Sequence, residues 1–223
     1  MATFKRFIKA IKDYYQQGEV GDIAYLKIAL LRIGGSPELL AKLKGLEDYY
    51  PAVNLEELAQ LPEGTLGYEY AQHMNQNNIH PLIISDDLIE AAKANPFALR
   101  FTATHDIFHI LLGFDTSYAG EIGVLGFTIG QGYSKFLNAY ESLVRHLYPL
   151  IFRSQAKQIR ANLAKGKATG EQAQCLLVYP FEENWSRPID DIRAELGLVL
   201  NNQQFDSRAE SSTGDRSSDI VTA

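Results

Sequence analysis

The sequence contains a single cysteine, Cys175, so it can form neither an intrachain disulfide nor a cysteine cluster for zinc. Structural disulfides are typical of oxidising compartments, and their absence indicates a reduced environment. The amino terminus also lacks the apolar core and small-residue cleavage site of a secretory signal. We therefore expect an intracellular protein.

Positive charge is scarce. The chain has 21 Lys and Arg against 27 Asp and Glu, which gives a formal net charge of −6. A protein that follows nucleic-acid phosphates needs clustered basic residues, because release of counterions drives that binding. The sequence therefore predicts no nucleic-acid partner.

Long apolar runs are missing as well. The uncharged run from Ile122 to Ser134 is shorter than the roughly 20 residues that a membrane-spanning helix needs, so none is predicted. The segment Thr3 to Lys12 instead forms a short basic amphipathic helix, with four apolar side chains on one stripe. Such a helix either lies on an anionic membrane surface or packs its stripe on the core.

Helical periodicity is what the sequence does have. The chain of 223 residues is 46% hydrophobic, which is enough to build a core. We predict an all-α, single-domain, bundle-like fold over residues 1–200, and a disordered tail over the serine-rich and charged residues 201–223. The predicted helices, with their caps and breakers, are Asp22 to Ile33, Pro37 to Leu46 after Ser36, short helices after Asn54 and Thr65, one ending before Pro96, Phe97 to Leu112, one starting near Ser117, Phe136 to Ile151, Ala156 to Lys165 closed by Gly166, and Pro188 to Leu196 before Gly197.

Four glycines, Gly120, Gly123, Gly126 and Gly130, recur on one face of the helix that starts near Ser117. Each costs roughly 1 kcal/mol relative to alanine inside a helix, so the stripe needs a compensating reason. Either another helix backbone comes close to it, or the stripe lines a smooth groove for a slender apolar ligand.

Two histidines one helical turn apart indicate a candidate metal site. At 100° per residue, His105, Asp106 and His109 fall within one arc of about 100° on the helix. On a straight helix Glu121 would lie roughly 18 Å further along the axis. If the chain reverses at Gly113, a typical left-handed cap, Glu121 returns to the side of the two imidazoles.

This donor set suits a divalent cation, because two imidazoles and two carboxylates match zinc well, with iron or manganese possible and magnesium less expected. The alternative is a hydrogen-bonded polar patch between helices. A metalloprotease is disfavoured, since Asp106 is shorter than the glutamate base of such enzymes. Phosphohydrolases with an HD dipeptide need an upstream histidine, which only His73 or His80 could supply. We expect both of these, like His146, to be exposed or capping residues.

Three stretches together resemble one family, the coenzyme Q (ubiquinone) biosynthesis protein four family. Its signature is HDxxH followed after eleven residues by glutamate, as at His105 to Glu121. The stretch LPEGTLGYEY at Leu61 to Tyr70 is similar to the family's LPEGTLGREY. The stretch EENWSRPIDDIRAELG resembles E-x-x-W followed by L-R-x-E-L-G, with the match carried by Glu182, Trp185, Arg193, Glu195, Leu196 and Gly197. The resemblance covers roughly Phe4 to Leu200.

The resemblance implies an all-helical protein that holds a divalent metal, thought to be zinc, at His105, Asp106, His109 and Glu121. It also implies peripheral association with a membrane, binding of a polyprenyl or quinone-precursor lipid, and partnership with other quinone biosynthesis proteins. The implied location is the cytoplasmic face of a bacterial membrane, or the matrix side of the mitochondrial inner membrane in a eukaryote. Apolar helix faces make a homodimer plausible.

Two functional hypotheses follow from the resemblance. In the first, the protein is a metal-dependent enzyme that replaces the ring carboxylate of a polyprenylated hydroxybenzoate by hydroxyl, an oxidative decarboxylation. In the second, it is a non-catalytic scaffold that presents prenyl lipids to biosynthetic enzymes, with a structural or orienting metal. An open coordination position would favour the enzyme, and a closed tetrahedral site the scaffold.

Overall fold

A computed structural model of the protein describes residues 25–26, 28–29, 35–44, 46, 53–82 and 84–198. The predicted helix at Thr3 to Lys12 and the predicted tail at 201–223 lie outside the described residues. Of the helix predicted at Asp22 to Ile33, only residues 25–26 and 28–29 are described, and they are helical.

The described residues form an all-helical fold, as predicted, in which no strand occurs. An isolated bridge joins Thr65 to Pro188. Three short 3-10 turns connect the longer helices, at Arg153–Gln155, Leu176–Val178 and Phe181–Glu183. The α-helices are α1 (Pro37–Leu43), α2 (Leu55–Leu58), α3 (Leu66–Gln76), α4 (Asp86–Lys93), α5 (Pro96–Leu112), α6 (Tyr118–Gly130), α7 (Lys135–Ile151), α8 (Ala156–Gln172) and α9 (Ile189–Glu195).

The predicted caps define several helix ends. The side chains of Ser36, Asn54, Thr65 and Ser117 accept backbone N–H groups at the starts of α1, α2, α3 and α6, which pairs donors that a helix cannot satisfy internally. Gly113 ends α5 in the left-handed conformation, with φ 69°. The chain therefore reverses between α5 and α6, where the sequence predicts.

Helices α6 and α8 cross at very close range, and their glycines are the reason. A Cβ atom on Gly126 would lie 2.5 Å from the Leu163 carbonyl oxygen, and one on Gly130 would overlap the Lys167 carbonyl. From the opposite side, Gly166 and Gly170 meet the backbone of α6 in the same way. Only glycine allows two helix backbones to approach so closely.

This crossing corrects one sequence prediction and decides between two alternatives that the sequence left open. Helix α8 does not end at Gly166 but continues to Gln172, because Gly166 serves helix packing and not capping. The glycine stripe of α6 does not line a groove for a prenyl tail, since α8 fills the space over Gly126 and Gly130, the Phe114 ring covers Gly123, and the Asp115 backbone covers Gly120. The first of the two alternatives, close backbone packing, is the one observed.

The carboxyl-terminal segment holds α5 near both of its ends. Near the amino end of α5, the buried Arg100 guanidinium donates to both carboxylate oxygens of Glu182 and to the Tyr179 carbonyl oxygen. At the carboxyl end, Arg193 donates to the carbonyl oxygens of Ile110 at 2.7 Å and Leu111 at 3.2 Å. These carbonyls lie in the last turn of the helix, where cations are favoured.

The stretch LPEGTLG packs on the stretch around Trp185. The Gly67 N–H donates to the Trp185 carbonyl oxygen at 2.8 Å, and the Tyr70 and Trp185 rings lie 5.4 Å apart. A side chain at Gly67 would collide with Leu61, and Gly64 turns the chain at φ 81°. The two motifs therefore fix α3 in place beside α5.

No helix in the described part of the chain combines the length and the apolarity that a membrane crossing requires.

Candidate metal centre

Three of the four predicted ligands converge at the reversal between α5 and α6. His105 and His109 project from adjacent turns of α5, and Glu121 projects from the first turn of α6. One ligand atom from each residue lies within 4.8 Å of the other two. Asp106 is not part of this group.

The three side chains form a triangle of similar distances, in which Glu121 turns a different carboxylate oxygen toward each imidazole. His105 Nε2 lies 3.3 Å from His109 Nε2 and 3.2 Å from Glu121 Oε2, and His109 Nε2 lies 3.3 Å from Glu121 Oε1. Ligands at about 2.05 Å from a tetrahedral zinc ion are separated by roughly 3.3 Å. The side chains therefore fit a small divalent cation.

The orientation of His109 is fixed by the turn. Its Nδ1 lies 3.1 Å from the Phe114 carbonyl oxygen, so Nδ1–H donates there and Nε2 faces Glu121. Burial alone would lower the pKa of His109, but hydrogen bonding and charge attraction from Glu121 outweigh it and raise that pKa. The electrostatics of the site favour a positive charge beside Glu121.

Glu121 supplies the negative charge of the site. Burial tends to raise its pKa, but the two imidazoles hold the pKa of the carboxyl well below its usual range. Glu121 also lies in the first turn of α6, where the helix dipole favours an anion. The carboxylate is therefore ionised, as a ligand must be.

The centre opens to solvent on one side. The His109 side chain is 1% exposed, whereas His105 and Glu121 are 31% and 45% exposed. A cation bound by these three groups would contact the protein on the side of His109 and solvent on the opposite side. This openness is the feature that the enzyme hypothesis expects.

Asp106 faces a different neighbour. Its Oδ1 lies 3.9 Å from Nε2 of His73, on α3. Burial would raise the pKa of Asp106, but the imidazoles of His73, His105 and His109 lower it overall. The carboxylate is thus ionised, next to the triangle but outside it.

The prediction that His73 is an exposed or capping residue is wrong. Its side chain is 9% exposed and its ring is stacked on that of His109, with centroids 5.9 Å apart. The sequence did carry a signal, because Leu66, Tyr70 and Met74 are the buried face of α3 and His73 lies on that same face. His80 and His146 are exposed, as predicted.

An all-helical fold that gathers two imidazoles and a carboxylate at metal-ligand spacing defines a class: helical proteins with a candidate divalent-metal centre. A family model, described as coenzyme Q (ubiquinone) biosynthesis protein Coq4, matches residues 50–202. The chain belongs to this family, which confirms the resemblance drawn from its motifs.

Relatives named "Ubiquinone biosynthesis protein COQ4 homolog, mitochondrial" are similar to this chain. The rat protein is 28% identical over 150 residues, which cover 66% of this chain and 55% of the relative. The human protein is 27% identical over 151 residues, covering 66% and 55%. The chain thus spans about half the length of these relatives.

A solved structure shares the fold. The crystal structure of a Nostoc punctiforme protein with a proposed role in ubiquinone biosynthesis superposes with a TM-score of 0.59 at 24% sequence identity. The match covers 89% of this chain and 97% of that one.

Proposed function

We propose that this protein acts in ubiquinone biosynthesis as a metal-dependent enzyme on the ring of a polyprenylated hydroxybenzoate. His105, Asp106, His109 and Glu121 would hold the cation, with zinc preferred over iron, manganese or magnesium. The observation that carries the proposal is the triangle of 3.2 to 3.3 Å between two imidazole nitrogens and one carboxylate. Two imidazole nitrogens and a carboxylate are also a donor set that a small divalent cation prefers.

The proposed ligands have different roles around the cation. His109, locked by Phe114, would fix the cation from the buried side, and His105 and Glu121 would leave its solvent side to the substrate. When bound, the cation supplies a Lewis acid for a carboxylate or phenolate oxygen of the ring. Asp106 would supply a second negative charge to the cation as its fourth ligand.

An exposed apolar strip supports a role at a membrane surface. Tyr118, 56% exposed, lies one turn before Glu121 and stacks on Phe152 with centroids 4.2 Å apart. The strip continues over exposed side chains of α7, namely Leu143, Leu147, Leu150 and Ile151. Arg153 and Lys157 are exposed beside it. Apolar side chains flanked by basic residues favour an anionic bilayer, where a prenyl lipid resides.

Localisation follows as part of the proposal. The curated relatives are named as mitochondrial proteins. We infer peripheral binding, on the matrix side of the inner membrane in a eukaryotic cell or on the cytoplasmic face in a bacterium. Other quinone biosynthesis proteins and a second copy of the chain are further proposed partners.

The second candidate function is a non-catalytic scaffold that holds a prenyl lipid for other enzymes. The exposed strip on α7 favours it, because an apolar surface of this kind also suits a protein partner. The two functions differ in what the metal does. In a scaffold the metal is structural or orienting and takes part in no reaction, so a folded variant without it would still bind prenyl lipid.

Native mass spectrometry tests the metal centre directly. The wild-type protein should retain one divalent cation, and His109→Ala and Glu121→Gln should lose it. His146→Ala, which removes an exposed histidine of α7, is the matched control and should retain it. A wild-type protein that takes up no Zn²⁺, Co²⁺, Mn²⁺ or Fe²⁺ would contradict the proposal.

Turnover separates the two candidate functions. His109→Ala should abolish conversion of a prenylated hydroxybenzoate while a copurified prenyl lipid is still detected by mass spectrometry. If the variant supports ubiquinone synthesis in cells as well as wild type does, the scaffold is the correct function.

Vesicle flotation tests the membrane surface. Leu150→Asp together with Ile151→Asp should reduce binding to vesicles with anionic lipid at least about tenfold, because the strip would then carry charge. Ala164→Asp, at an exposed position of α8, is the control. Equal flotation of both variants would contradict the assignment of the strip.

A further inference from the structure

His73 carries a buried polar atom, Nε2, with no hydrogen-bond partner among the described residues. This nitrogen is inaccessible to solvent. Native proteins rarely leave such an atom unpaired, so each case calls for an explanation. The surroundings of His73 supply one, because the nearest charged group is the Asp106 carboxylate.

The gap between the two groups is small. His73 Nε2 and Asp106 Oδ1 are 3.9 Å apart, about 1 Å more than an N–H···O hydrogen bond. The His73 ring also lies nearly parallel to that of His109, at 19°, on the flank of the candidate metal centre. His73 therefore contacts one predicted ligand and faces another.

We propose that His73 is a positioning residue of the metal centre, donating its Nε2–H to Asp106 Oδ1 and so directing that carboxylate at the cation. The inference rests on the proposed function, since it requires a cation at His105, His109 and Glu121. With that bond formed and a cation bound, the Asp106 carboxylate would lie between His73 and the cation. Partners of this kind, one step removed from a metal, typically change its affinity 10- to 100-fold.

Three variants of the full chain test the role of His73. His73→Phe keeps an aromatic ring on His109 but removes the donor. His73→Gln places an amide N–H close to the position of Nε2, and His73→Asn, whose amide stops near Nδ1, serves as a second loss variant. His80→Phe removes an exposed histidine and is the control.

The measurement is the dissociation constant for Co²⁺ and Zn²⁺, obtained by competition with a chromophoric chelator. We expect His73→Phe and His73→Asn to weaken binding 10- to 100-fold, His73→Gln to recover most of the loss, and His80→Phe to match wild type. If His73 were purely structural, its variants would shift the unfolding midpoint of the metal-free protein, but their metal affinities would not follow this order. Urea unfolding of each metal-free variant makes that comparison.

Several outcomes would overturn the inference. One is wild-type affinity in both loss variants, and another is a glutamine variant no better than the phenylalanine variant. X-ray absorption that counts three imidazoles on the bound zinc would also overturn it, since His73 would then be a ligand. A wild-type protein that binds no cation would end this inference together with the proposed function, whereas bound cation with unaffected variants would end this inference alone.

Discussion

Nδ1 of His109 lies 3.1 Å from the carbonyl oxygen of Phe114, the first residue after the left-handed turn at Gly113. This hydrogen bond sets the tautomer of His109, a candidate metal ligand. Its acceptor belongs to the same turn that brings Glu121 back to the site. The turn therefore affects the site twice, through the position of the carboxylate and through the nitrogen that His109 presents.

Replacing Gly113 by alanine should weaken both stability and metal binding. A side chain in the left-handed conformation costs about 1 kcal/mol, and relief of that strain would shift the Phe114 carbonyl. Gly132→Ala is a matched control, because Gly132 has a similar φ of 64° with open space around it. Urea unfolding and Co²⁺ titration should give similar losses of stability in both variants, but a loss of affinity only in Gly113→Ala. Equal affinities would contradict the link.

Replacing Arg193 by methionine should destabilise the fold by about 2 to 3 kcal/mol, because the hydrogen bonds of a charged group to two carbonyl oxygens are lost. Methionine keeps much of the volume of the side chain. Chemical denaturation measures the change. Arg187→Met, which alters a half-exposed ion pair with Glu195, is the comparison and should have a much smaller effect. The hypothesis fails if the two variants are equally stable.

Alanine at Gly166 should disrupt the crossing of α6 and α8. Its Cβ would overlap the Gly123 carbonyl, so the helices must separate, at a cost of about 3 kcal/mol. Thermal unfolding followed by circular dichroism should show the loss. Ala164→Leu adds a larger side chain to an exposed position of the same helix and should leave the midpoint nearly unchanged. A stable Gly166→Ala variant would show that the crossing is looser than described.

Acid should remove a stabilising contribution from Glu141. The hydrogen bond from Lys167 and the nearby Arg145 lower the pKa of this carboxyl below its ordinary value of 4.5. Because the pKa is lower in the folded state, the contribution is complete above about pH 4.5 and is lost as the pH falls through the folded-state pKa. Urea unfolding between pH 7 and pH 3 should therefore show a smaller acid loss in Glu141→Gln than in wild type. Glu63→Gln, at an exposed loop position, should follow wild type.

Local signals in the sequence predicted much of the architecture. The side-chain caps at Ser36, Asn54 and Thr65 and the left-handed Gly113 depend only on neighbouring residues, and these predictions are confirmed, as is the start of α6 near Ser117. The convergence of His105, His109 and Glu121 follows from that one turn. It could be anticipated without knowing any other packing in the protein.

The errors involve contacts between distant segments. Glycine at 166 is compatible with a helix end or with a close helix crossing, and the choice depends on Gly123 in another helix. The local sequence allows His73 to be either exposed or buried, and which of the two occurs depends on α5 lying against α3. The role of the carboxyl-terminal motif, which is to anchor α5, likewise depends on its contacts with Arg100 and Ile110 of that helix. Periodicity within one helix carries no information about such partners.

The contacts of the carboxyl-terminal segment with α5 have a consequence for the synthesis of the chain itself. All proposed cation ligands have been translated by Glu121, yet Glu182 and Arg193, which tether the helix of His105 and His109, emerge much later. A nascent chain that stops before these residues carries every donor but lacks the supports of that helix. We therefore expect loading of the proposed cation to follow synthesis of Arg193 and not synthesis of the ligands.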